Sequence, residues 1–221
     1  MDRHLLILAY HRVLATADPL RPGDITVEAF SRQMAVINRY FNALPLATAV
    51  GKLADGSLPR RAVCITFDDG YADNFTVALP VLQRYGLPAC VFVASAYLDG
   101  GRMWNDSIVE ALRVAPGESI DLESLDLGTY EVASAAQRYG AVNKVIKQLK
   151  YMSATDRSRS TAALAELVGK PLPDDLMLSS AQLRELHGAG IEIGAHTVSH
   201  PILKAIDSQS ARREIVDSKQ Q

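Results

Sequence analysis

Short unbroken apolar runs alternate along this chain with segments whose apolar residues recur every three or four positions. Leu5, Leu6, Ile7, Leu8 and Ala9 form the first run, the pattern of a strand buried on both faces. After a Pro/Gly/Asp stretch at 18–24, Thr26 can cap a helix to about residue 40, with Phe30, Met34, Ile37 and Phe41 at helical spacing. Residues 43–46 predict a second short strand, and 47–53 one or two helical turns stopped by Asp55 and Gly56. Residues 62–67 form a third strand running into Asp68, Asp69 and Gly70. A helix over 73–84 should kink at Pro80, which lacks an N–H and crowds the preceding turn. Gly86 ends it, and 89–94 is a fourth strand. Apolar, non-alternating strands separated by helices predict a parallel sheet in an α/β fold.

The rhythm breaks in the middle. Residues 104–114 read as a helix, 119–132 alternate in the manner of a small hairpin with a turn near Gly128, and 134–152 and 155–168 are amphipathic helices. Roughly 100–178 is therefore expected to be an insertion on the sheet. The pattern then resumes. Ser179 and Gln182 form a capping-box signal for a helix through His187, residues 191–194 make a fifth strand, and a last helix covers about 208–219.

Composition changes this picture little. With 221 residues, 48% hydrophobic and 22% charged, the chain is long enough for a core needing neither disulfides nor a structural metal. A net charge of -2, from 23 basic and 25 acidic residues, argues against a nucleic-acid partner. Cys64 and Cys90 lie in apolar runs and are expected as buried thiols. No apolar run approaches the ~20 residues of a membrane span, and the short apolar stretch after Met1 does not read as a secretory signal. The expected location is cytoplasmic, or extracytoplasmic if the N-terminus has been trimmed.

Candidate chemistry gathers at two strand ends. Asp68 and Asp69 end one buried strand, where adjacent carboxylates repel unless they share a cation or a proton. His196 and His200 follow another, four apart, so that a tight loop can bring both imidazoles to one metal. In α/β folds these carboxyl ends face the ligand site. One carboxylate and two histidines make a metal site with open positions for water and substrate.

Thr66-Phe67-Asp68-Asp69-Gly70 with His196-Thr197-Val198-Ser199-His200 resembles the first two motifs of the NodB-type polysaccharide deacetylases, carbohydrate esterase family four. The opening Ala9-Tyr10-His11-Arg12-Val13 and the stretch Met103-Trp104-Asn105-Asp106 are similar to members of that family as well. The resemblance implies an irregular, TIM-barrel-related β/α barrel and a hydrolase that removes acetyl groups from N-acetylated polysaccharide or oligosaccharide with a divalent metal. Zinc is the expected ion, with cobalt, nickel or iron also accepted by such a ligand set. It implies Asp68 as general base and Asp69, His196 and His200 as metal ligands. The cation would polarise the acetyl carbonyl and lower the pKa of a water that Asp68 deprotonates.

The family's later motifs, including the Leu-x-x-His segment that supplies a general acid, are absent after His200, where no histidine or tryptophan follows. About five strands are too few to close a barrel. The expectation is one deacetylase domain over 1–221, truncated at its C-terminal side. The alternative is an inactive glycan- or metal-binding fragment needing a missing part or partner chain, and an open sheet edge could pair two copies. His11 either reaches the pocket mouth or holds a neighbouring loop. Tyr71 and Asp73 either line the groove or cap the next helix, and Trp104 either stacks on a sugar or anchors the insertion. Thr197 and Ser199 either orient the imidazoles, contact an anion or only stabilise their loop.

Overall fold

The computed structural model describes residues 4–221. In chain order the elements are β1 (Leu5–Tyr10), β2 (Val13–Leu14), β3 (Ile25–Thr26), α1 (Val27–Tyr40), β4 (Asn42–Ala43), α2 (Leu46–Ala54) and β5 (Ala62–Phe67). A π-helical turn (Asn74–Ala78) leads into α3 (Leu79–Tyr85), followed by β6 (Cys90–Val93), α4 (Trp104–Val114), β7 (Ser119–Asp121) and β8 (Thr129–Glu131). Then come α5 (Ala135–Leu149), α6 (Ala154–Val168), α7 (Ser180–Gly188), β9 (Glu192–Ala195) and α8 (Ser208–Gln220). No helix among the described residues is long and apolar enough to cross a membrane. The chain divides into two compact units. The first holds the described residues up to Ala17, Asp24–Gly100 and Leu176–Gln221, and the second holds Asp18–Gly23 and Gly101–Asp175.

The first unit is built on a five-stranded sheet in which every pairing is parallel. β1 pairs with all six residues of β5 along one edge. The other edge of β5 takes β4 beside Ala62 and Val63, then β6 beside Thr66 and Phe67, and β6 in turn carries β9. β1 and β9 do not pair with each other among the described residues, so the sheet stays open, an incomplete barrel. Alternate residues of β5 serve two cores. Val63, Ile65 and Phe67 join Phe30, Met34 and Ile37 of α1, Leu79 and Leu82 of α3 and Leu186 of α7. Cys64 and Ala62 face the opposite way, onto Ala49 of α2 and Leu58. Both cysteines are buried free thiols, and burial, the larger cause, together with the Glu192 charge pushes Cys90 up to about 12.

Two local expectations are corrected. β1 is an edge strand, with Leu6 and Ile7 45% and 49% exposed, so its apolar run is not buried on both faces. The helix expected over 73–84 is not α-helical throughout, because a π-type turn runs directly into α3. The Leu79 N–H bonds back to the Asn74 carbonyl in a π-type turn, and Pro80 falls in the first turn of α3, where no N–H is required of it. Thr26 and Ser179 cap α1 and α7 as their sequence signals predict, the latter with a full capping box.

The second unit packs α4, α5 and α6 with the hairpin β7–β8 around Ile108, Leu112, Leu122, Val145 and Leu164. Its polar centre is an ion network. Arg21 bonds Asp106, which is fully buried, at 2.7 Å and Glu110 at 3.2 Å, while Arg113 bonds Glu110 at 2.7 Å and Asp18 at 2.6 Å. A buried carboxylate requires such partners, and the network ties the loop 18–23 to α4. Burial raises the Asp18 carboxyl, but bonds from Arg113 and the Leu20 N–H outweigh that and leave it below its ordinary value. A depressed carboxyl stabilises the fold fully above its unfolded pKa and loses that contribution as pH falls through the lower folded value. Acidifying from about pH 7 to about pH 3 should therefore lower the thermal midpoint of the native protein more than that of Asp18→Asn. Equal drops in the two proteins would show that Asp18 does not contribute.

Candidate metal centre

Two loops at the carboxyl ends of β5 and β9 build the site. The Asp68 N–H continues the ladder to the Tyr10 carbonyl at 2.8 Å. Asp69 and Gly70 then both turn into the left-handed region, with φ of 76° and 82°. The turn is held by its own carbonyls, which accept the Ala94 N–H at 3.2 Å (Asp69) and the Leu178 N–H at 2.9 Å (Gly70). In the second loop the His196 N–H donates to the Val93 carbonyl at 2.9 Å, and Ser95 and Ala96 donate to the carbonyls of Thr197 and Val198. Thr197 and His200 also take positive φ, 66° and 52°. A β-branched residue there costs on the order of 1–3 kcal/mol and persists only where its surroundings impose it. The Thr197 hydroxyl offsets part of this by accepting the His200 N–H at 3.1 Å and donating to the His196 carbonyl.

These turns bring Asp69, His196 and His200 together. Asp69 Oδ1 lies 3.4 Å from His196 Nε2 and 3.3 Å from His200 Nε2, and one ligand atom from each residue falls within 4.8 Å of the others. The imidazole centroids are 5.0 Å apart, and Phe92 flanks His196 at 6.4 Å. Asp69 is buried, and its Oδ1 has no hydrogen-bond partner among the described residues. A buried, unsatisfied carboxylate oxygen aimed between two imidazole nitrogens is the donor set a divalent cation needs. Burial raises the Asp69 carboxyl, against the pull of His200, His11 and His196, and burial lowers the His200 imidazole, against the pull of Asp69. Asp68 stands next to the cluster, half-buried, and does not join the three converging ligand atoms.

The other residues singled out from sequence take varied places. His11 is exposed and does not join the three converging ligand atoms. Tyr71 is buried with the Arg12 guanidinium 4.7 Å over its ring. Asp73 bonds that same Arg12 at 2.7 Å and the Val13 N–H at 3.1 Å. Trp104 belongs to the second unit, where Arg157 lies 4.8 Å over its ring. Sequence reasoning missed Glu214 of α8, whose carboxylate accepts the N–H groups of Val198 and Ser199, each at 2.8 Å, and the Ser199 hydroxyl at 2.6 Å. A lone glutamate in a polar helix gives no signal of its own.

The Asp-His-His cluster thus lies at the carboxyl ends of a parallel, open β/α sheet. The model of the polysaccharide deacetylase family matches residues 55–221, and the chain belongs to that family. It is 35% identical over 89 residues to the Bacillus subtilis (strain 168) protein YxkH, which carries a polysaccharide deacetylase name; the match spans 40% of this chain and 31% of YxkH. Among solved structures, the Streptococcus pyogenes deacetylase PplD in complex with acetate superposes with a TM-score of 0.58 at 18% identity, covering 98% of this chain and 66% of that one. BA0330 of Bacillus anthracis gives 0.53 at 14% identity, covering 98% of this chain and 48% of its own. At those identities the likeness is one of fold. This chain thus spans about a third of the curated relative and less than two thirds of either structure.

Proposed function

We propose that this chain carries the metal-dependent deacetylation of an N-acetylated polysaccharide or oligosaccharide. The observation behind this reading is the convergence of Asp69, His196 and His200, with Asp69 Oδ1 buried and unsatisfied, in a member of the deacetylase family. Those three residues would hold a divalent cation, zinc first among those that accept two imidazoles and a carboxylate. When bound, the cation supplies Lewis acidity toward the acetyl carbonyl and its oxyanion. Asp68, beside the cluster but outside it, takes the proton from the attacking water. Asp68, having taken that proton, is the group that returns it to the departing amine.

Acetate release from acetylated chito-oligosaccharide and from an aryl acetate, using protein stripped with a chelator and then reloaded, tests this. Release is expected only after zinc or cobalt is restored. Stoichiometric metal uptake with no release from either substrate would overturn the catalytic reading, and no uptake would overturn the site.

A further inference from the structure

We infer that Glu214 is a positioning residue for the metal centre, a carboxylate that holds the loop His196–His200 in its ligand-ready conformation through Val198 and Ser199. This rests on the metal-site reading above. The loop is short, and two of its five residues, Thr197 and His200, sit in the left-handed region without being glycine. Such a conformation needs external support. Part comes from the main chain of residues 95–96, which holds the carbonyls of Thr197 and Val198. The N–H groups of Val198 and Ser199 point the other way, and both converge on one oxygen of Glu214. The second oxygen takes the Ser199 hydroxyl at 2.6 Å.

Three bonds to an ionised acceptor are charge-assisted and short, the strongest class available to a loop. They fall on the two residues between the left-handed positions, so they fix the hand of the turn between the two histidines. α8 is itself capped at its start, where the Asp207 side chain accepts the N–H groups of Gln209 and Ser210. α8 thus carries the carboxylate to the loop, and the loop carries the imidazoles to Asp69. Nothing on Glu214 itself reaches the ligand atoms, which makes it a support and not a fourth ligand.

The test is a Co²⁺ titration of metal-free protein, followed by visible absorption, for the native chain, Glu214→Ala and Glu214→Gln. Glutamine keeps one oxygen for the two N–H groups and can donate to the Ser199 hydroxyl, so it preserves the geometry without the charge. Outer partners of metal ligands typically matter by about 10–100-fold in affinity. Glu214→Ala should therefore bind Co²⁺ at least about tenfold more weakly, with a broadened spectrum, and Glu214→Gln should stay within about threefold of native. Thermal midpoints of the metal-free proteins, measured alongside, separate loop misplacement from unfolding. Native-like affinity in Glu214→Ala would overturn the inference. So would equal losses in the two variants, which would mean that charge at a distance and not positioning is at work. Failure of the native protein to bind Co²⁺ would instead sink the metal-site reading and, with it, the role assigned to Glu214.

Discussion

Asp68→Asn is expected to bind metal with unchanged stoichiometry while turnover on acetylated chito-oligosaccharide falls by about 10²–10⁴-fold, the usual worth of a positioned general base. The two adjacent aspartates differ in backbone and burial, Asp69 adopting φ of 76° immediately after the strand. Asp69 is buried with Oδ1 between the imidazoles, whereas Asp68 remains half-exposed beside them. Asparagine at 68 keeps the shape and removes the basicity. Asparagine at 69 replaces the charged ligand oxygen with a neutral amide, so that variant should lose metal and turnover together. The pair of variants, each assayed for bound metal and for acetate release, distinguishes base from ligand. Full turnover in Asp68→Asn would transfer the proton-accepting role elsewhere, and loss of metal in that variant would make Asp68 a ligand.

Much of this arrangement was legible in the residues. The apolar runs at 62–67 and 89–94 read as buried strands, and they are β5 and β6 in a parallel sheet. The Asp-Asp-Gly and His-x-x-x-His signals sat at strand ends, which is why the topology could bring them together. What escaped the sequence is what depends on pairing. An apolar run does not reveal whether a strand is central or at an edge, and β1 proved to be an edge strand. The π-type turn before Pro80 depends on backbone bonds that no periodicity announces. The link between loop 18–23 and α4 through Arg21, and the link between α8 and the histidine loop through Glu214, join residues far apart in sequence by side-chain bonds alone. Charged positions on polar faces look alike until the fold chooses which are buried.

Gly70→Ala should destabilise the fold at the centre itself. With φ of 82°, position 70 lies in the region where a Cβ costs about 1–2 kcal/mol. A Cβ built there also meets Val93 Cγ1 at 3.0 Å, tighter than ordinary contact, while the Val93 Cα at 3.4 Å is at normal contact distance. Overpacking of that kind adds roughly 1–3 kcal/mol. The combined loss of roughly 2–5 kcal/mol corresponds to a fall in thermal midpoint of about 4–20 °C for a chain of this size. The consequence reaches the chemistry, because the Gly70 carbonyl holds Leu178 and the preceding carbonyl holds Ala94, fixing the turn that aims Asp69. Gly70→Ala should therefore weaken metal binding as well as the fold. Adding Val93→Ala to Gly70→Ala removes the Cγ1 clash but not the backbone cost of position 70. The double variant should therefore fall short of the stability of Val93→Ala alone. If Gly70→Ala melts with the native protein, the left-handed turn is not what holds Asp69 in place.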